Sequence, residues 1–265
     1  METEFFDSHA HYNDEKFAED REDVIEKIYE SGVTKFVSAG YDVESSIYGL
    51  KLAYEKEYIY TTVGVSPNDV KESIEETEIE IKKIEEILKS EIENKKIVAI
   101  GEIGLDYYWN KENKEIQKYA FIEQIKLANK YNLPIVIHTR EAVMDTLDIL
   151  KNVQPANKKG IFHCCPLNRE LVKEALKLDF YISFAGPVTF KNAKNAEEIV
   201  QMVPLEKALI ETDSPYLTPE PKRGTRNDSR NVKLIAQKIA DFKGITIEEV
   251  AKATYKNAMK IFNIK

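Results

Sequence analysis

The chain has few of the features that crosslink a protein, anchor it or send it out of the cell. Its 265 residues include only two cysteines, the adjacent pair Cys164 and Cys165, and adjacent cysteines rarely have the geometry for a disulfide bridge. No apolar run is long enough to span a bilayer, and the N-terminal residues carry neither a basic region nor an apolar signal core. We therefore expect a cytoplasmic protein with no disulfide framework and no membrane partner.

The chain also lacks an excess of positive charge. It has 38 lysines and arginines against 46 acidic residues, a net charge of −8, which argues against broad coating of nucleic acid because such binding requires a basic surface. A hydrophobic fraction of 43% excludes a disordered chain. An enzyme that binds a few phosphates remains possible, since a metal cluster or one basic loop can supply positive charge locally.

Eight short apolar runs recur at the interval expected for strand–helix units. They are residues 4–6, 35–37, 59–63, 97–100, 135–137, 161–162, 181–184 and 208–210. Each run is too apolar to have a solvated face, which indicates a parallel sheet covered by helices. Candidate metal ligands follow strands 1, 4, 5, 6 and 8. Only the closure of the sheet into a barrel brings the first and last strands together, so a barrel is favoured over an open sheet. We predict one α/β domain over residues 1–265, a (β/α)8 TIM-type barrel with a metal site at the C-terminal end of the strands.

Helical patterns lie between the predicted strands. Residues 71–96 are rich in Glu and Lys, but their apolar positions fall on one helical face. A second apolar stripe occurs near the C-terminus, and a capping box, Thr246 with Glu249, opens the last helix. The stripe consists of Val232, Ile235, Ala236, Ile239 and Ala240.

All four histidines of the chain, His9, His11, His138 and His163, directly follow or end a predicted strand. Barrel enzymes place their chemistry at the C-terminal ends of their strands. His9 and His11 are two residues apart, so both imidazoles can project to one face of the strand and bind one ion. A lone histidine at a strand end is more often a hydrogen-bonded structural group, but four together predict a divalent metal site.

Glu102 follows the fourth predicted strand in the segment Gly101–Asp106. We expect its glycines to turn the backbone tightly, so that Glu102 reaches the mouth of the barrel. A carboxylate has two oxygens and can bridge two cations. Glu102 is therefore the predicted bridging ligand, with His138 and His163 completing one of two metal sites; capping of the next helix is its alternative role.

Asp213 follows the eighth strand and is predicted to join His9, His11 and Glu102 in the other metal site. Glu211 lies on the same face of the strand, so the side-chain alternation does not separate the two acids. Asp213 lies farther toward the C-terminal mouth, where barrel chemistry occurs. Glu211 lies deeper and is the candidate for a hydrogen bond to a ligand.

A basic loop, residues 221–227 with Arg230 shortly after it, leaves the same end of the barrel. The guanidinium groups of Arg223 and Arg226 match phosphate oxygens by paired hydrogen bonds, and Arg140 lies close to a predicted ligand. The alternative is a solvated loop whose charges pair with surface acids.

Two clusters near the predicted ligands have more than one interpretation. Tyr107, Tyr108 and Trp109 follow Glu102; they could stack on nucleobases, or they could cover the end of the barrel. Cys164 and Cys165 could be soft metal ligands or small buried residues.

These segments together resemble the TatD family of metal-dependent deoxyribonucleases, which belong to the amidohydrolase-like barrels. The similar segments are residues 7–11, 101–106, 137–142, 162–164, 211–217, 223–224 and 226–227. The resemblance implies a barrel that binds one or two divalent cations through His9, His11, Glu102, His138, His163 and Asp213. It also implies hydrolysis of DNA, often as a 3′ to 5′ exonuclease. The chain departs from the family at Ser66, where a histidine is common, and at residues 164–167.

The predicted function is metal-dependent hydrolysis of DNA phosphodiester bonds, as a 3′–5′ exodeoxyribonuclease acting on single strands or ends through metal-activated water. Asp213, Glu102 and Arg140 are the predicted catalytic residues, and Arg140, Arg223 and Arg226 the predicted phosphate contacts. The expected cofactor is one or two ions of Mg²⁺, Mn²⁺ or Zn²⁺, and a monomer with DNA as its substrate is expected. The alternatives are a hydrolase of small-molecule C–N or ester bonds and a non-catalytic metal-binding protein.

Overall fold

The structure is a computed structural model that describes residues 3–265, in which strands and helices alternate along the chain. Met1 and Glu2, the first residues of the predicted domain, lie outside the described residues. The strands are β1 (Phe5–Ala10), β2 (Val33–Ala39), β3 (Ile59–Val63), β4 (Ile97–Asp106), β5 (Ile135–Arg140), β6 (Gly160–Phe162), β7 (Tyr181–Phe184) and β8 (Ala208–Ile210). The α-helices are α1 (Arg21–Glu30), α2 (Val43–Glu55), α3 (Ile74–Glu91), α4 (Lys114–Tyr131), α5 (Val143–Asp148), α6 (Arg169–Lys177), α7 (Ala196–Met202), α8 (Val232–Lys243) and α9 (Ile247–Ile261).

The strands form one eight-stranded sheet whose neighbours follow chain order. The described ladders are parallel, and a parallel bridge joins Ala10 at the end of β1 to Ser214 just after β8. All six positions of β1 and all ten of β4 are buried, as expected for a sheet covered by helices. The predicted (β/α)8 barrel is confirmed.

The end of β4 differs from the sequence prediction. The glycines of Gly101–Asp106 were expected to turn the chain after residue 100, but the strand continues to Asp106. The register against β5 shifts between Ile100 and Ile103, so the extra residue is absorbed as a bulge instead of a turn. At Gly104, φ is 138°, and a Cβ would lie 2.0 Å from the carbonyl oxygen of His138. Only glycine allows β4 to pass so close to β5 in this conformation.

The predicted helical patterns are confirmed. α3 lies inside residues 71–96 and buries Ile81, Ile84 and Leu88, whereas Ile74, also expected on the apolar face, is its first residue and is exposed. α8 buries all five residues of its predicted apolar stripe. Thr246 and Glu249 form the capping box of α9. Among residues 3–265, no helix combines the length and the apolar character that a membrane crossing requires.

The chain divides into two compact units. The first comprises the residues up to Ser38 together with His163–Leu176 and Tyr181–Lys265, and the second comprises Ala39–Phe162 and Lys177–Phe180. Strands β1, β7 and β8 and all of β2 except Ala39 belong to the first unit, and β3–β6 belong to the second. A single domain over residues 1–265 stays a prediction. Each unit contains some of the predicted ligands.

Candidate metal centre

In the first unit, β1 and the segment after β8 bring His9, His11 and Asp213 together. The Nε2 atoms of His9 and His11 are 3.2 Å apart, and Asp213 Oδ1 lies 3.7 Å from His9 Nε2 and 3.2 Å from His11 Nε2. The backbone fixes this arrangement, because Asp213 N donates to the His9 carbonyl at 2.9 Å and His11 N donates to the carbonyl of Ser214 at 2.6 Å.

These three ligand atoms have the spacing that a small divalent cation requires. Metal–ligand bonds of about 2.0–2.2 Å in a tetrahedral site place neighbouring ligand atoms about 3.4 Å apart. The observed separations of 3.2, 3.2 and 3.7 Å bracket that value. Two imidazole nitrogens and a carboxylate oxygen suit borderline cations such as Zn²⁺ or Mn²⁺. The group His9–His11–Asp213 therefore fits a metal ion.

The Asp213 carboxylate is held in its charged form. Its burial alone would raise the pKa, but the hydrogen bond with His11 and the charges of His11, His163 and His9 lower the pKa of Asp213 below its usual value. A charged carboxylate is the form that binds a cation.

His163 lies beside this group and is oriented by Glu211. Its ring stacks on that of His9, with centroids 4.0 Å apart and an interplanar angle of 16°. His163 Nδ1 lies 3.3 Å from Glu211 Oε1, and Cys164 N donates to the same oxygen at 2.6 Å. A carboxylate at one ring nitrogen fixes the orientation of a histidine ligand. This contact agrees with the hydrogen bond to a ligand for which Glu211 was the candidate, because of its position deeper in the barrel than Asp213.

The Asp7 carboxylate, to which the sequence analysis gave no role, holds this unit together. It is fully buried and accepts hydrogen bonds from Thr212 N at 2.9 Å, Thr212 Oγ1 at 2.5 Å, Ser229 Oγ at 2.5 Å and His9 N at 3.3 Å. Burial raises the pKa of Asp7 to about 7. Asp7 therefore joins β1 to the segment after β8 and to the turn just before α8. In the sequence, Asp7, His9 and His11 are each two residues apart, a spacing that places all three side chains on one face of the strand and could have indicated a role for Asp7.

In the second unit, the ends of β4 and β5 bring Glu102 and His138 together. His138 Nδ1 lies 3.0 Å from Glu102 Oε1, and His138 Nε2 lies 2.9 Å from Asp106 Oδ2. Burial would raise the pKa of Asp106, but His138 and the backbone N–H groups of Trp109 and Tyr108 lower it to about 2. Asp106 was not predicted as a site residue. Its position four residues after Glu102 gave little signal because the bulge in β4 was unforeseen.

The three predicted phosphate contacts have different surroundings. Arg226 pairs with both oxygens of Asp20, at 2.8 and 2.6 Å. The Arg140 guanidinium lies 3.8 Å from the centre of the Tyr108 ring, and that of Arg223 lies 4.2 Å from the ring of Phe190. Across residues 3–265, neither Arg140 nor Arg223 has an ion pair or side-chain hydrogen bond. Both guanidinium groups can therefore bind an anion without breaking an existing interaction.

The two departures from the family pattern have local structural explanations. Ser66 is buried, and its hydroxyl donates to Asp69 Oδ2 at 2.5 Å. Cys165 is also buried, and burial raises the pKa of its thiol, which suits a small core residue. No His/Cys/Asp/Glu cluster found within residues 3–265 includes either cysteine.

A parallel α/β barrel with imidazoles and carboxylates at its strand ends is an architecture of metal-dependent hydrolases. Comparison with known proteins makes the assignment specific. A family model described as TatD related DNase matches residues 6–263. The chain is 44% identical to the uncharacterized metal-dependent hydrolase YabD of Bacillus subtilis, over 98% of this chain and 99% of that protein. It is 34% identical to the uncharacterized metal-dependent hydrolase YcfH of Escherichia coli, over 97% and 95% of the two chains.

A solved structure shows the same fold. The crystal structure of YJJV, a TatD homolog from Escherichia coli, superposes with a TM-score of 0.91 at 24% identity, covering all of both chains. The chain belongs to the TatD family of metal-dependent hydrolases.

Proposed function

We propose that the chain hydrolyses phosphodiester bonds of DNA as a metal-dependent 3′–5′ exodeoxyribonuclease, acting on single strands or ends. The observation that carries the proposal is the convergence of His9, His11 and Asp213, whose ligand atoms all lie within 4.8 Å of one another. Nitrogen and carboxylate ligands at this spacing suit a hydrolytic cation, and the proposed ions are Mg²⁺, Mn²⁺ or Zn²⁺.

We propose further that His163, Glu102 and His138 would also act as metal ligands, so that one or two cations would be bound. The support is positional: Glu102 lies in the second half of β4, His138 near the end of β5 and His163 directly after β6, and these are neighbouring strands of one parallel sheet. Side chains at that end of a barrel converge.

In the proposed reaction, the residues orient and neutralise the substrate. A bound divalent cation supplies Lewis acidity and lowers the pKa of water. Asp213 accepts a hydrogen bond from the attacking water at a carboxylate oxygen and receives its proton as the water oxygen bonds to phosphorus. The bond between phosphorus and the 3′-oxygen breaks, and that oxygen leaves with a proton taken from solvent. Arg140 donates to the non-bridging phosphate oxygens and offsets the negative charge that grows on them, and Arg223 binds a neighbouring phosphate.

DNA is proposed as the substrate because the matching family model is described as a DNase and because Arg140 and Arg223 are arginines without an anionic partner in the described chain. Arg226 stays a predicted phosphate contact, and its pair with Asp20 would have to open for that role. The chain is proposed to act as a monomer.

The test is a single-stranded oligonucleotide labelled at its 5′ end, incubated with purified protein and Mg²⁺ or Mn²⁺. We expect a ladder that shortens from the 3′ end, abolished by EDTA. Asp213→Asn, Glu102→Ala and His138→Ala should each lower the rate about 100- to 10,000-fold. Asp241→Asn, on an exposed face of α8, is the matched control and should leave the rate unchanged.

Equal rates in the wild type and the three site variants would contradict the proposal. Hydrolysis of amide or lactone substrates without any action on DNA would favour the small-molecule alternative. Bound metal without hydrolysis of any phosphodiester would favour a non-catalytic protein.

A further inference from the structure

The segment between β4 and α4 presents two exposed aromatic rings beside an arginine that lacks an anionic partner. Tyr107 is buried, and its hydroxyl donates to Asp145 Oδ2 at 2.7 Å, so it anchors the segment. Tyr108 and Trp109 instead leave 45% and 69% of their surfaces exposed. Tyr107 is therefore a packed residue, whereas Trp109 faces solvent.

These rings and Arg140 form one cluster. The rings of Tyr108 and Trp109 are perpendicular, with centroids 4.8 Å apart. The Arg140 guanidinium lies 3.8 Å from the Tyr108 centroid and 5.5 Å from that of Trp109. A guanidinium lying over a ring keeps its N–H donors available at its edge. The cluster thus presents an aromatic surface and anion-binding donors side by side.

One carboxylate links this cluster to a proposed metal ligand. Asp106 Oδ1 accepts the backbone N–H groups of Tyr108 at 2.9 Å and Trp109 at 3.0 Å. Its other oxygen, Oδ2, lies 2.9 Å from Nε2 of His138. A rigid carboxylate therefore holds the aromatic segment at a fixed position relative to His138.

We infer that Tyr108, Trp109 and Arg140 form a binding platform for an unpaired nucleotide at a DNA end, with its base stacked on Trp109 and its phosphate bound by Arg140. This inference rests on the proposed function and specifies the substrate class as single-stranded ends. Every nucleobase has a π face that stacks on an aromatic ring irrespective of sequence. A paired base inside a duplex cannot offer that face, so blunt duplex DNA should bind more weakly.

Trp109 is the only tryptophan of the chain, so its fluorescence reports base stacking without any reaction. In EDTA, which prevents hydrolysis, we expect a thymidine dodecamer to quench the emission. An abasic dodecamer with the same number of phosphates should quench it far less. Equal quenching by both would mean that the phosphates alone are recognised, and would overturn the inference, as would absence of quenching.

Variants separate this platform from the metal site. Trp109→Ala should raise KM for single-stranded DNA in the nuclease assay by about 5- to 150-fold, the range expected for one stacked base. It should raise the Kd of a labelled dodecamer, measured by fluorescence anisotropy in EDTA, by the same factor. Trp109→Phe should recover most of the loss, and Met144→Ala, which removes another exposed apolar side chain, should have no effect. Normal binding and KM in Trp109→Ala would overturn the platform while leaving a metal-dependent nuclease intact. Quenching without DNA hydrolysis would support the platform and contradict the nuclease.

Discussion

Replacement of Asp7 by alanine should destabilise the fold strongly although Asp7 is not a proposed ligand. The change removes the acceptor of four buried donors. Three of them, Thr212 N, Thr212 Oγ1 and Ser229 Oγ, make short hydrogen bonds and determine the cost, whereas His9 N, at 3.3 Å, adds little. An unsatisfied buried donor costs about 1–3 kcal/mol. The two hydroxyls can turn toward Ser214 Oγ and Tyr12 Oη, both 2.7 Å away, so their costs lie at the low end. The sum is about 3–5 kcal/mol.

The assay is thermal unfolding of the metal-free protein at pH 6. Asp7 has a pKa of about 7 and is mostly protonated at pH 6. The alanine variant therefore gains little from the removal of a buried carboxylate charge, and the lost hydrogen bonds determine the change in stability. For a chain of this size the expected destabilisation lowers Tm by about 6–20 °C. Asp7→Asn keeps the volume and one acceptor and should cost less than about 2 kcal/mol. Asp241→Ala, an exposed control, should change stability by less than about 0.5 kcal/mol.

A Tm for Asp7→Ala within about 2 °C of the wild type would instead mean that the buried donors find other acceptors at no cost and that Asp7 does not stabilise the fold. The same network places His9 against the segment that carries Asp213, so the variant should also bind Mn²⁺ more weakly.

Four further results are expected. Burial raises the pKa of Asp69 to about 6, so the folded state holds this proton more tightly than the unfolded state, and the free energy of unfolding falls as the pH rises from about 4 to about 6. In urea unfolding over that pH range, the free energy of unfolding of Asp69→Asn should rise by about 1–2 kcal/mol relative to that of the wild type, after a discount for partial exposure. A difference between the two proteins that does not change with pH would contradict this. Gly104→Ala should cost more than about 3 kcal/mol, because its Cβ would meet the His138 carbonyl; near-normal stability would show that β4 can shift. Glu211→Gln should weaken metal affinity about 10- to 100-fold by loosening His163, with near-normal Tm in EDTA, and unchanged affinity in a metal titration would oppose that role. Metal at about 100 times its Kd should stabilise the protein by about 2.7 kcal/mol, and a Tm unaffected by EDTA would argue against a structural contribution of the ion.

The fold was predictable because its signals are local. Each strand is a short apolar run between polar helices, and the run at Ile59–Val63 has the same limits in the sequence and in the structure. The strand ends were harder, since β4 continues past a bulge between Ile100 and Ile103 to Asp106, and Gly104 then passes close to His138. No local pattern encodes that close approach.

The candidate ligands were predictable for a different reason. Imidazoles are rare in this chain, and His9 and His11 show the two-residue spacing of one strand face. The supporting hydrogen bonds were less accessible, because Asp7 binds Thr212 and Ser229, which lie far away in sequence and are common polar residues. Glu211 was recognisable only as the deeper of two acids on one strand.

We propose that His9, His11 and Asp213 bind the cation on which hydrolysis depends. A calorimetric titration of Mn²⁺ into the metal-free wild type and Asp213→Asn, with Asp241→Asn as the control, measures this binding without any substrate. We expect one or two sites in the wild type and the control, and an affinity at least about 10-fold weaker, or one site fewer, in Asp213→Asn. Identical isotherms for all three proteins would contradict it.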